Sequence, residues 1–111
     1  MTIVKVQTPN LGALDFTAFE YHSTKWHEVG GIYIFCSATG EAWQPHYVGQ
    51  TNNFRARLPH HERWTDAKRM GATHVLARVV PYQSERDKIE AALIAQLQPT
   101  LNTQLRQPWS Y

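Results

Sequence analysis

The chain has 111 residues, enough for one hydrophobic core but not two. Its 42 % hydrophobic and 12 % aromatic content argues against a disordered chain, and no apolar run approaches the length a membrane helix needs. The net charge of +2 is unevenly spread: residues 1–49 carry two basic and four acidic side chains, residues 50–111 nine basic and five acidic. Arg55, Arg57, Arg63, Lys68, Arg69 and Arg78 cluster in the second half, which suits a polyanionic partner, although charge alone is as readily a solvated face.

The N-terminus lacks the charged start and apolar stretch of a signal peptide, so the expectation is a cytoplasmic protein. Residues 2–7 alternate like an edge strand, and Pro9-Asn10-Leu11-Gly12 breaks it. Residues 17–28 read as a short helix carrying Phe19, Tyr21 and Trp26. Residues 31–37 are the clearest strand, with Ile32, Ile34 and Cys36 on one face and Tyr33 and Phe35 on the other, which implies cover on both sides. Cys36, the sole cysteine, excludes an internal disulfide and reads as a small core residue.

After a turn around Gly40, residues 46–51 form a second strand close enough for an antiparallel hairpin, which brings Tyr33 and Tyr47 together. Asn52 or Asn53 caps a helix starting at Phe54, and Pro59 forces that helix to kink or restart. Residues 74–80 are a third strand. Residues 84–97 are the best helix, with Ser84 and Asp87 as a capping-box-like start and Pro99 as its stop. The expected division is an extension over 1–29 packed on a domain over 30–102, then a tail over 103–111.

Glu90 borders the apolar stripe of that helix, because Leu93, Ile94 and Leu97 lie at its i+3, i+4 and i+7 positions. A carboxylate there either binds a metal or finds an ion pair or solvent. Tyr33 and Tyr47 sit in strands, where Tyr is more often core than catalyst, and a functional role needs their hydroxyls to emerge at a polar cleft. As a base, either phenol needs a nearby cation, since it titrates ordinarily near pH ~10. Arg57 offers a planar fork that fits a phosphate, whereas Arg55 points elsewhere on the helix. His61 shares the Arg57 face if the helix is unbroken, and adjacent His60 is the alternative. No Cys pair or His-Glu-x-x-His supports structural zinc, and no P-loop, dinucleotide fingerprint or Gly-x-Ser-x-Gly elbow is present.

The tripeptides Gly31-Ile32-Tyr33 and Tyr47-Val48-Gly49, with Arg57 ten residues beyond Tyr47, Glu90 on a later helix and Asn102 twelve residues beyond Glu90, resemble the GIY-YIG nuclease family. The resemblance implies an α+β fold, a small three-stranded antiparallel sheet flanked by helices, and metal-dependent hydrolysis of DNA phosphodiesters. It implies that Tyr33 and Tyr47 line the active site, that Arg57 contacts the scissile phosphate, and that His61 matches a histidine common in one branch. Glu90 binds Mg²⁺ or Mn²⁺, Gly31, Gly49 and Asn102 support the site structurally, and Gln50, Thr51, Arg55 and His60 border it on the substrate side. Val48 replaces the Ile of the family name, and Gln50 stands where many relatives carry Lys, which removes a helper charge. Trp43, on the linker between the two tyrosines, is a candidate for stacking on an unpaired base. The rival reading is a nucleic-acid-binding module that cuts poorly or not at all. Single-stranded or duplex DNA, and monomer or homodimer, stay open at this point.

Overall fold

The structure is a computed structural model that describes residues 2–23, 25–40 and 42–104. Its strands are β1 (Thr2–Thr8), β2 (Gly12–Glu20), β3 (Gly31–Thr39), β4 (Ala42–Thr51) and β5 (His74–Val79). Its helices are α1 (Phe54–Arg57), α2 (Glu62–Arg69), α3 (Gln83–Leu97) and α4 (Thr100–Gln104). The strands form one antiparallel sheet in the order β1-β2-β5-β3-β4. The fold is α+β as expected, but the sheet has five strands rather than three.

The two extra strands come from the N-terminal segment. The edge strand β1 is present as expected. The helix expected over 17–28 is not: its first residues belong to β2, followed by a single 3₁₀ turn at Tyr21–Ser23. Leu14, Phe16 and Ala18 keep the period of two that a half-buried strand requires, and all three pack on one apolar cluster. Thr8 closes the hairpin, its hydroxyl donating to the Gly12 carbonyl at 2.9 Å and accepting from the Leu11 N–H at 3.0 Å. β2 then pairs with β5 from Thr17↔Ala77 to Glu20↔His74.

Two layers cover the sheet. Ile32, Ile34, Cys36 and Val48 face α3 through Ile89 and Leu93, while Tyr33, Phe35, Val75 and Ala77 face α1, α2 and α4 through Phe54, Leu58, Trp64 and Leu101. Every residue from Gly31 to Ser37 is buried, as a strand covered on both sides must be. Burial pushes the Cys36 thiol up to about 12, which suits an inert core residue. Gly31 allows this close packing, because a Cβ there would lie 2.0 Å from the Arg78 carbonyl oxygen and 2.7 Å from Phe54.

β4 is an edge strand, and its pairing with β3 shifts register between Phe35 and Cys36. Phe35 opposes Tyr47 and Cys36 opposes Pro45, so His46 is the extra residue of a bulge. Pro45 is tolerated at such a place because an edge or bulge forgives a missing N–H. The buried His46 ring bonds the Ser37 hydroxyl at 3.0 Å, and burial lowers its pKa. Trp43 is half-buried against the α3-side cluster and meets His74 edge-on at 5.2 Å, so it is not a free stacking surface.

Asn53 caps α1, its side chain accepting from the Ala56 N–H at 3.1 Å. Pro59 ends that turn in a 3₁₀ segment, Leu58–His60, and the chain restarts as α2 with His61 as N-cap. The capping box expected at Ser84 is not formed. α3 begins one residue earlier, with Tyr82 at its N-cap and no side-chain cap bond. Gln98, at φ 44°, terminates α3 before Pro99. The tail expected over 103–111 starts inside α4, and residues 105–111 lie outside the described residues.

Candidate active site

The sequence-selected residues converge beside the outer strand β4, where the two helical layers approach each other. Tyr33 and Tyr47 stand on the same face of β3 and β4, ring centroids 6.3 Å apart. Directly opposite Tyr33 is Gly49. A Cβ on Gly49 would sit 2.5 Å from both Cζ and Oη of Tyr33, so the missing side chain is the space in which the phenol lies.

His61 completes this cluster, though not through the unbroken helix that spacing suggested. The restart after Pro59 turns it inward instead, leaving it 4 % exposed while His60 stays on the surface. Its Nδ1 accepts the Arg63 backbone N–H at 3.0 Å, and its Nε2 lies 2.7 Å from the Tyr33 hydroxyl. Burial, reinforced by the Arg57 charge and only partly opposed by Glu62, drops the His61 pKa to about 4. The ring is thus neutral at pH 7. With Nδ1 accepting, its proton is on Nε2 and is donated to Tyr33. The Tyr33 oxygen accepts that proton, and its own O–H is free to point elsewhere.

Burial raises the Tyr33 pKa well above that of an ordinary phenol, and the neighbouring Tyr47 and Glu90 add to this. Arg57 pulls the other way, both as a charge and as a hydrogen-bond partner, without overcoming the burial. Tyr47 is also raised, first by burial and then by Glu90. Both residues are therefore neutral phenols in the protein alone.

Arg57 projects from the end of α1. Its two terminal nitrogens donate to the two carboxylate oxygens of Glu62 at 2.7 and 2.8 Å, a fork-to-fork pair. That pair keeps the guanidinium firmly charged and holds the Glu62 carboxyl down at about 2. Sequence reasoning missed Glu62, because a partner five residues along matches no helical spacing; only the break at Pro59 brings the two together.

Glu90 comes from the other layer, half-buried on α3, and its charge acts on both tyrosines. No described Lys or Arg forms an ion pair with it. Its bond comes from the Gln50 side-chain N–H at 3.1 Å, and the same amide nitrogen also donates to Asp87 at 2.8 Å. The Gln50 carbonyl accepts from Gln83 at 3.2 Å and Arg86 at 3.3 Å. Arg86 was not picked out by sequence. It is 4 % exposed and donates to the Val80 and Pro81 carbonyls at 3.0 and 2.8 Å. Its position one turn before Glu90 on the same helix was the available signal.

The oxygen donors near this place are the Glu90 carboxylate, the Asp87 carboxylate that shares the Gln50 amide with it, and the phenols of Tyr33 and Tyr47, on which the Glu90 charge acts. No group of three His, Cys, Asp or Glu side chains exists among the described residues. A set of oxygen donors with few carboxylates fits a hard divalent ion such as Mg²⁺ or Mn²⁺, which keeps several waters and takes few protein ligands.

Asn102 lies farther along β4, 6 % exposed. Its Oδ1 accepts the Val48 N–H and its Nδ2 donates to the Val48 carbonyl, both at 2.8 Å. The amide thereby occupies one residue's worth of open strand edge. Thr51 is turned toward the chain itself, its hydroxyl bonding the Asn53 backbone at 3.1 and 3.2 Å. Arg55 is exposed.

The family model of the GIY-YIG catalytic domain matches residues 29–104, and the chain belongs to that family. Its members are metal-dependent nucleic-acid endonucleases. Among solved structures the chain is similar to the GIY-YIG N-terminal endonuclease domain of UvrC from Thermotoga maritima, a point mutant bound to its catalytic divalent cation. The two share 26 % identity at a TM-score of 0.53, covering 68 % of this chain and 83 % of that one. No curated protein matches the sequence. Among the described residues no helix is long and apolar enough to cross a membrane.

Proposed function

We propose that this protein cuts DNA by metal-dependent hydrolysis of the phosphodiester backbone at the cluster of Tyr33, Tyr47, Arg57, His61 and Glu90. The observation that carries the reading is the pairing of two opposite features in one place. A buried phenol is held by a neutral His and a charged Arg, and beside it stands a carboxylate that no described cation neutralises. The cation-bound UvrC domain supports the same assignment for the fold.

Glu90 would hold the divalent ion, which when bound would supply Lewis acidity at the scissile phosphate. Gln50, anchored by Arg86 and Gln83, fixes the Glu90 carboxylate by hydrogen bond without cancelling its charge. The Arg57 fork takes two non-bridging oxygens of the scissile phosphate and offsets the charge that grows there. His61 donates to the Tyr33 oxygen and fixes the ring. His61 and Arg57 both act as donors to the Tyr33 oxygen, which leaves its own O–H to orient the attacking water. Its raised pKa supports a water-positioning role over that of a standing phenolate base. Tyr47 walls the opposite side. Gly31, Gly49 and Asn102 hold the strands that carry these groups, and Arg55 and His60 are exposed side chains suited to flanking phosphates.

The test is a cleavage assay on one labelled sequence presented as single strand and as duplex, with Mg²⁺, Mn²⁺ or chelator. Wild type should cut at least one form with either metal and none with chelator, and Tyr33→Phe should cut at a small fraction of that rate. Salt-sensitive binding with no cutting of any form would instead support the binding-module reading.

A further inference from the structure

Arg57 presents one planar fork, and in this structure both prongs are already taken by the Glu62 carboxylate. A carboxylate and a phosphate edge offer the same pair of oxygens to a guanidinium, so they compete for one position. Glu62 is well placed to be the occupant that leaves. Its side chain is 68 % exposed, it lies at the first position of α2, and Arg57 is the one basic partner it has among the described residues. Arg57 is anchored differently, at 36 % exposure against the tyrosines. The neighbouring acid Asp66 pairs with Arg63 and does not reach the fork.

Resting on the proposed DNA chemistry, we infer that Glu62 occupies the phosphate position of Arg57 in the DNA-free protein and that substrate must displace it, so that Glu62 sets substrate affinity rather than turnover. It acts through Arg57, as a displaceable occupant of its fork. An exposed ion pair is weak enough to be exchanged on every cycle, yet removing it frees the fork permanently. Held in this way, Arg57 keeps its geometry beside Tyr33 between turnovers, and a cleaved product meets a returning competitor.

Glu62→Gln keeps the size of the side chain and the α2 terminus but withdraws the anion. Converting the range for exposed pairs into equilibrium constants gives a fall in KM of roughly 1.4- to 5-fold with kcat unchanged. Binding is read separately from cutting, by anisotropy of a labelled DNA in chelator, in a Glu90→Gln background. There Glu62→Gln should tighten Kd by the same factor, and the gain should vanish when Arg57→Ala is also present. Asp66→Asn, which removes a neighbouring charge of the same sign, should tighten binding less. Tightening that survives Arg57→Ala would be a bulk-charge effect and would overturn the inference. So would a loss of kcat at constant KM, because Glu62 would then be orienting Arg57 for chemistry. Failure of every variant to bind DNA would instead remove the nuclease reading itself.

Discussion

Gly49→Ala isolates the geometry of the site from its charges. The new Cβ would fall 2.5 Å from Cζ and Oη of Tyr33 and 2.8 Å from Cε2. Non-bonded carbons rest about 3.5–4.0 Å apart, so the ring must retreat by roughly 1 Å. It has nowhere easy to go, being 2 % exposed and walled by Phe35, Tyr47 and His61. Overpacking of this kind costs about 1–3 kcal/mol. The retreat also pulls the hydroxyl out of its 2.7 Å contact with His61. A displacement of that size at a reacting group is expected to lower the single-turnover cleavage rate by roughly 10²-fold. Urea unfolding and single-turnover cleavage measure the two effects on the same samples. Gly40→Ala is the reference: Gly40 has φ 61° with nothing within 4 Å, so the substitution strains the turn by about 1–2 kcal/mol and should leave cleavage intact. A Gly49→Ala protein with the stability and rate of wild type would refute the claim that Gly49 exists to seat Tyr33.

Asn102→Ala strips partners from both backbone groups of Val48 and should cost about 2–4 kcal/mol in urea unfolding at unchanged m; a loss under about 0.5 kcal/mol would show that the amide is dispensable. His61 makes stability depend on pH. Its folded pKa of about 4 lies below the ordinary value of 6.5, so the unfolded chain takes up the proton first. The contribution is complete above pH 6.5 and is lost as pH falls toward 4, by an order of about 2–3 kcal/mol. His46 is lowered too and adds in the same direction. His61→Leu should therefore flatten, without abolishing, the slope of unfolding free energy between pH 6.5 and 4.5; an unchanged slope would mean that His61 is not buried neutral.

The parts of this molecule legible in sequence were those governed by local pattern. Strand β3 announced itself through an unbroken apolar run, and α3 through a helical stripe with Glu90 at its border. The two tyrosines could be paired because a short connection leaves little choice but a hairpin. What stayed hidden depended on tertiary register. β2 sends Leu14, Phe16 and Ala18 to one core cluster and Phe19 to the other, and Phe19 with the aromatics after it suggested a helix until pairing with β5 settled the matter. The bulge at His46 cannot be read without knowing which residue of β3 lies opposite. Pro59 signalled a break in the helix but not its direction, and that direction decides both the choice of His61 over His60 and the meeting of Arg57 with Glu62. Arg86 looked like another surface cation, because burying a guanidinium requires carbonyl acceptors that only the folded chain supplies.

The most direct test of the account is Mg²⁺-titrated DNA cleavage by wild type and Glu90→Gln, with DNA binding and unfolding measured on the same preparations. Glu90→Gln keeps the shape and the Gln50 contact region while removing the Glu90 carboxylate, which forms no ion pair among the described residues. The account predicts folded, DNA-binding protein whose cleavage falls by at least about 10³-fold at every Mg²⁺ concentration, consistent with loss of several kcal/mol of metal-derived stabilisation. Cleavage by Glu90→Gln at the wild-type rate and metal dependence would contradict it, and the metal would have to be held elsewhere.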